Sequence, residues 1–189
     1  MYDEVGSMIK KLIPDYYFKS IYEIPYDKLY AKGIRLILTD LDNTLISYKE
    51  QLPNEKLFAW KNKLLEMGFE IIVVSNSKKD RVNKFCEAFK IDFVKFATKP
   101  LKRGIKKAIK DVSKNKYKNE EIILLGDQLM TDIFGAKRMK INACLIEPIA
   151  KSTDHFFTRI NRRIENYYLK KIAKKYPIKY QNLFHKEGE

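Results

Sequence analysis

The sequence predicts an α/β fold, a doubly wound parallel sheet of about five strands, and three observations carry that prediction. After residue 33, short runs of Ile, Leu and Val alternate with longer helical patterns. The runs are apolar almost throughout, as parallel strands covered on both faces are. Polar and charged residues gather where the runs end, the edge at which an open parallel sheet binds its ligands.

The first strand is "IRLILTD", ending at Asp40. A helix from about Glu55 to Met67 leads to "FEIIVVSN", and a helix from near Lys79 to Phe89 leads to "IDFVKFA". A helix from Leu101 to about Val112, the strand "EIILLGD", a helix from near Met130 to Met139 and the strand "INACLIEP" complete the series. Residues 34–148 are therefore the expected core. An aromatic-rich flank, residues 1–33, is expected to pack on or beside it, and residues 149–189 to form a basic C-terminal helical extension. Both flanks are expected to be helical.

At 189 residues and 45% hydrophobic content the chain suits one domain with a sizeable core. Its uncharged apolar runs fall far short of the roughly 18 residues of a membrane span. No signal-peptide pattern opens the sequence, so the expected location is cytoplasmic. Cys86 and Cys144 stand 58 positions apart within apolar patterns, which reads as two reduced core thiols.

The net charge of +14 is unevenly spread. Residues 95–118 hold 10 positive and 1 negative side chains, and residues 149–189 hold 10 and 4, whereas the remaining segments are close to balance. Such blocks attract anionic partners: a phosphorylated substrate, nucleic acid or an acidic membrane surface. A general lysine richness competes with that reading, since 31 of the 38 positive residues are Lys.

Asp40 and Asp42 follow the first strand, Ser75 and Asn76 end the second, Lys99 follows the third and Asp127 ends the fourth. Four connections thus deliver carboxylates, a hydroxyl, an amide and an ammonium to one edge. Asp40, Asp42, Asp127 and Asp132 would repel one another unless a cation sat among them, and hard oxygen donors around a small hydrated site suit Mg²⁺.

In this order the motifs resemble those of the haloacid dehalogenase (HAD) superfamily of aspartate-nucleophile phosphatases, subfamily IIIA, YqeG-like. The resemblance implies that "DLDNT" supplies Asp40 as nucleophile and Asp42 as general acid and base. Ser75 would bind phosphoryl oxygens, and Thr44 and Asn76 are expected to help bind substrate. Lys99 would neutralise charge on Asp40 and the phosphoryl group. In "GDQLMTD", Asp127 would bind Mg²⁺ beside the Asp40 carboxylate and the Asp42 carbonyl, with Asp132 holding the ion's water shell or its neighbours. An acidic residue at position 42 separates phosphatases of the superfamily from its dehalogenases and its transport ATPases.

Between Asp40 and Ser75 there is room for a flap ("ISYKEQL"), one helix and one strand, and between Ser75 and Lys99 for one helix and one strand. No cap domain fits. An open site suits a phosphate displayed on something large, whose own bulk closes the cleft. The segment "FFTRINRRIENYYLKKIAKKY" places Phe156, Ile160, Ile164, Tyr167, Tyr168 and Ile172 on one stripe among Arg and Lys. Such a helix, residues 156–176, either lies on an anionic bilayer at the inner face of the membrane or packs on the domain. Similar HAD phosphatases convert phosphatidylglycerophosphate to phosphatidylglycerol, and an anionic lipid head group is the substrate expected here. That branch carries a basic residue between the two aspartates, where this chain has Leu41. The competing readings are a HAD phosphatase for a nucleotide, sugar phosphate or phosphoprotein, and a non-catalytic basic protein that binds RNA.

Overall fold

The computed structural model describes residues 8–150 and 156–184, with side chains described over 8–150 and 163–184. Its elements follow the chain as β1 (Tyr16–Phe18), α1 (Tyr26–Ala31), β2 (Leu36–Thr39), α2 (Glu55–Glu66), β3 (Glu70–Val74), α3 (Asp80–Phe89) and β4 (Asp92–Val94). Then come α4 (Lys102–Lys107), β5 (Ile122–Gly126), α5 (Phe134–Met139), β6 (Asn142–Ile146), α6 (Phe156–Lys175) and α7 (Pro177–Phe184).

The strands form one sheet in the order β1-β6-β5-β2-β3-β4, every pair parallel. The five expected strands are all present, and a sixth, β1, comes from the N-terminal flank. It pairs Tyr16 with Cys144 and Phe18 with Ile146 at the free edge of β6. Asp15 anchors it: its main-chain N–H donates to the Ala143 carbonyl at 2.8 Å, and its carboxylate accepts from the Ala143 N–H at 2.8 Å. Three aromatic residues with no aliphatic run behind them carry no strand signal of their own, so β1 exists through its partner.

Side chains alternate across the sheet, and each face buries its own set. Ile37, Ile71, Val73, Ile123 and Leu125 meet Trp60, Phe85 and Phe89 from α2 and α3, with Tyr26 and Leu29 of α1. Leu36, Leu38, Ile72, Leu124 and Ala143 meet Ile105, Ile133 and Ile172 on the opposite face. The N-terminal flank belongs to both layers through Ile21 and Ile24 on one side and Leu12 and Ile13 on the other. Trp60 Nε1 donates to the Tyr26 hydroxyl at 3.0 Å, which donates to the Ile21 carbonyl at 2.9 Å, so the flank is tied into the core by a buried polar chain.

Helix α2 starts at Asn54, whose side chain accepts the Leu57 N–H at 2.9 Å. The helix expected to start at Leu101 is α-helical to Lys107 and continues with wider π spacing over Ala108–Val112. Likewise the helix expected from Met130 is a π turn over Leu129–Ile133 before α5. The single long C-terminal pattern splits at Pro177, which lacks the N–H that α6 would need to continue. Ile172 is fully buried and Tyr168 and Leu169 pack beside it, whereas Ile164 and Tyr167 of the same stripe are exposed, so the described part of α6 covers the domain with one portion of its apolar face only. Phe156, Arg159, Ile160 and Arg162 lie outside the residues whose side chains are described. Among the described residues no helix is long and apolar enough to cross a membrane.

Candidate active site

The strand order reverses at β2: β3 and β4 follow it on one side, β5 and β6 on the other. A crevice opens outside the carboxyl ends at such a switch point. The Asp40 N–H donates to the Leu125 carbonyl at 2.9 Å, so Asp40 continues the β2–β5 register by one residue and stands in that crevice. The chain then folds back sharply. Asn43 takes a left-handed conformation (φ 62°), its N–H donates to the Ile46 carbonyl at 2.7 Å, and Asp42 forms an isolated bridge with Ile46.

The crevice holds about 650 Å³ and is lined by Asp40, Asp42, Ser75, Asn76, Lys99 and Asp132, with Tyr48 and Lys49 of the flap and Arg81 of α3 on its wall. Six of the eight expected site residues therefore meet there. Thr44 does not reach the wall: the Asn43 turn carries it inward, where it is buried at 1% exposure. Asp127 is buried directly after β5, off the cleft wall. Leu41, between the aspartates, is fully buried in the core and also absent from the wall.

Lys99 organises the centre. Its Nζ lies 2.7 Å from Asp40 Oδ1 and 2.6 Å from Asp132 Oδ1, with the side chain almost wholly buried. Burial works against the ammonium, but Asp132 and Asp40 outweigh it and hold the Lys99 pKa above its ordinary value. Burial pushes the Asp40 carboxyl up to about 6; Lys99 opposes that shift and Asp132 adds to it. The Asn76 amide clamps the Lys99 peptide from both sides, accepting its N–H at 2.7 Å and donating to its carbonyl at 2.9 Å. Asn76 therefore sets where the lysine starts from, besides lining the cleft. Ser75 is placed by the sheet: its N–H donates to the Val94 carbonyl and its Oγ accepts the Ser77 N–H at 3.1 Å.

Arg81 is the site residue that sequence reasoning missed. Its guanidinium pairs with the Asp42 carboxylate and donates to the Glu50 carbonyl at 2.6 Å, so it ties the flap to the second aspartate. The available signal was weak: it is the one Arg in the lysine-rich stretch from Ser75 to Lys90, at a position where a planar fork of donors is needed.

Among the described residues no three His, Cys, Asp or Glu side chains draw together as a ready-made metal cage. Asp132 is engaged by Lys99, by the Gln128 N–H at 3.2 Å and by the Thr131 hydroxyl at 3.3 Å, and Asp42 by Arg81. The set that the resemblance assigns to the cation is the Asp40 and Asp127 carboxylates with the Asp42 carbonyl, Asp40 also meeting Lys99. That small set of hard oxygens fits Mg²⁺, which keeps several waters of its own.

An aspartate pair at the switch point, facing a buried lysine, defines the class as a HAD-type phosphatase. The family model described as "Mitochondrial PGP phosphatase" matches residues 5–150. A protein of Bacillus subtilis (strain 168) described as "Probable phosphatase YqeG" is 34% identical over 175 residues, 92% of this chain and 99% of that one. Among solved structures, an uncharacterized protein from Listeria monocytogenes serotype 4b shares the fold with a TM-score of 0.50 at 15% identity, covering 65% of this chain and 85% of that chain. A Legionella pneumophila structure assigned to the HAD superfamily (subfamily III A) hydrolases aligns over 95% of this chain and 98% of its own, at 13% identity and a TM-score of 0.44. The chain belongs to the YqeG-like HAD phosphatases, within the family described as mitochondrial PGP phosphatase.

Proposed function

We propose that the protein is a Mg²⁺-dependent phosphomonoester hydrolase that removes the terminal phosphate of phosphatidylglycerophosphate through an aspartyl-phosphate on Asp40. The observation that carries this reading is the Asp40–Lys99 contact at 2.7 Å, with Asp42 two residues away on the same cleft wall. An Asp40 carboxylate oxygen attacks phosphorus, and the bond from phosphorus to the leaving oxygen breaks. Asp42 gives that oxygen a proton, then takes one from the water that attacks the aspartyl-phosphate and frees inorganic phosphate. Lys99 and the Ser75 hydroxyl meet the equatorial oxygens, where charge gathers. Mg²⁺, held by Asp40, Asp127 and the Asp42 carbonyl, would supply further charge neutralisation at the same oxygens.

Lipid as the substrate is supported by the family description, by the absence of an inserted lid between β2 and β4, and by the basic block that begins at Lys95. The test is phosphate release from phosphatidylglycerophosphate in mixed micelles, with Mg²⁺ or with chelator. Asp40→Asn is expected to lower turnover by at least ~10³-fold with the fold retained. Turnover by Asp40→Asn at the wild-type rate would refute the mechanism. Release confined to soluble phosphomonoesters would refute the lipid substrate alone.

A further inference from the structure

Exposed apolar side chains are not scattered evenly on this molecule. Four of the large ones exposed among the described residues stand on loops at the carboxyl edge of the sheet: Leu52 (61% exposed), Phe96 (50%), Leu101 (55%) and Ile149 (52%). Backbone hydrogen bonds knit these loops together around the cleft. The Phe96 N–H donates to the Ser77 carbonyl, joining the loops after β4 and β3, and the Ile149 N–H donates to the Asn43 carbonyl, joining those after β6 and β2.

Phe96 is the most telling of the four. Its backbone is left-handed (φ 51°), a conformation that costs energy for a bulky residue, and it leaves the ring half exposed. The Lys78 ammonium lies 3.9 Å from the ring centre. Exposed cations flank Leu52, Phe96 and Leu101 on their loops or the adjoining one: Lys49, Lys78, Lys79, Lys95, Lys102 and Arg103, opposed by Glu50 and Asp80, while the loop of Ile149 carries the half-buried Glu147. Lys49 and Lys79 also line the cleft.

Apolar side chains that stand out of a cationic rim match one kind of surface, an anionic bilayer, where apolar groups enter the boundary below the head groups and ammonium groups meet the phosphates. Helix α6 offers less to such a surface: Ile172, Tyr168 and Leu169 are spent on the domain, which leaves Ile164 and Tyr167 as its exposed large apolar groups among the described residues. We infer that the protein docks on anionic membrane through the rim of its own active-site cleft, with Leu52, Phe96, Leu101 and Ile149 inserted. This rests on the lipid reading above and gives it a geometry: the cleft faces the head groups and the bilayer acts as its lid.

The test is sedimentation of the full chain with vesicles of phosphatidylcholine alone, or of phosphatidylcholine with phosphatidylglycerol. The wild type is expected to bind the anionic vesicles, and salt to weaken it. The double variant Phe96→Ala/Leu101→Ala is expected to lose about tenfold in partitioning, since it removes two of the inserted groups, while hydrolysing p-nitrophenyl phosphate as before. Asp40→Asn is expected to bind vesicles as the wild type does, so failure of docking and failure of catalysis are read separately. Undiminished binding by the rim variant, or loss of binding in Ile164→Ala/Tyr167→Ala on α6 instead, would overturn the inference. So would a wild type that binds neither vesicle, or one that binds RNA through the rim and ignores vesicles.

Discussion

At the scale of single residues, the buried triad of Asp40, Lys99 and Asp132 makes a prediction about pH. A nucleophilic carboxylate must be ionised, so kcat/KM should fall on the acid side; burial lifts Asp40 to about 6 with no cation beside it, and Mg²⁺ would bring the limb below that value. Lys99 pulls that value down, so Lys99→Met should move the acid limb to higher pH as well as slow turnover; a limb that stays in place would exclude Lys99 from the ionisation of the nucleophile. The same shift bears on stability. A carboxyl with a folded pKa above its unfolded value of 3.8 contributes stability that is present at low pH and lost as pH rises through about 6. Asp40→Asn never charges, and Lys99 keeps Asp132, so its Tm at pH 7 should equal or exceed that of the wild type. The thiols make a simpler case: burial pushes Cys86 up to about 12 and Cys144 up as well, so iodoacetamide at pH 8 should label neither until denaturant is added. Asp40, Asp42, Ser75 and Lys99 were legible in the sequence because each ends an apolar run or directly follows one. Arg81 was not, since its role depends on α3 bringing it against Asp42 and Glu50 across more than thirty residues.

At the scale of elements, the fourth motif shows how a strand, a glycine and a π turn act together. Asp132 sits in the Leu129–Ile133 turn, and its carboxylate folds back over the end of β5 to reach Lys99. Only a residue without a side chain can lie beneath it: a Cβ at Gly126 would be 2.3 Å from Asp132 Cγ. Gly126→Ala must therefore displace the carboxylate, or the loop that carries it. We expect a stability loss of about 1–3 kcal/mol, read by denaturant unfolding, together with about a 10²-fold fall in kcat from the misplaced lysine. If kcat were unchanged, Asp132 would not be setting the position of Lys99. The sequence showed a helix over this stretch but not its π start, because a single wide turn, Leu129–Ile133, is too short to leave a periodicity of its own. It showed five strands by their aliphatic runs, whereas β1 answers to the β6 edge and to the two hydrogen bonds between Asp15 and Ala143.

At the scale of the whole molecule, the C-terminal extension behaves as part of the catalytic fold. Ile172 is fully buried with the α4 and α5 side chains. About two turns earlier, the buried Glu165 accepts the Met130 N–H at 3.4 Å, in the turn that also carries Asp132. Helix α6 thus rests on the segment that positions the lysine. Of its described basic residues, Arg163, Lys170, Lys174 and Lys175 are exposed, and an amphipathic pattern alone leaves two readings open because a bilayer and a protein core select the same apolar stripe. The two are separable by experiment without any lipid. Ile172→Ala should cost about 2–4 kcal/mol of stability in plain buffer, from lost burial and the cavity left behind, and lower Tm by roughly 4–16 °C for a chain of this size. Hydrogen exchange at Met130 to Ile133 should quicken in the same variant, because the turn loses its support. If α6 served mainly to hold membrane, the substitution would leave both Tm and exchange at their wild-type values and weaken vesicle binding instead.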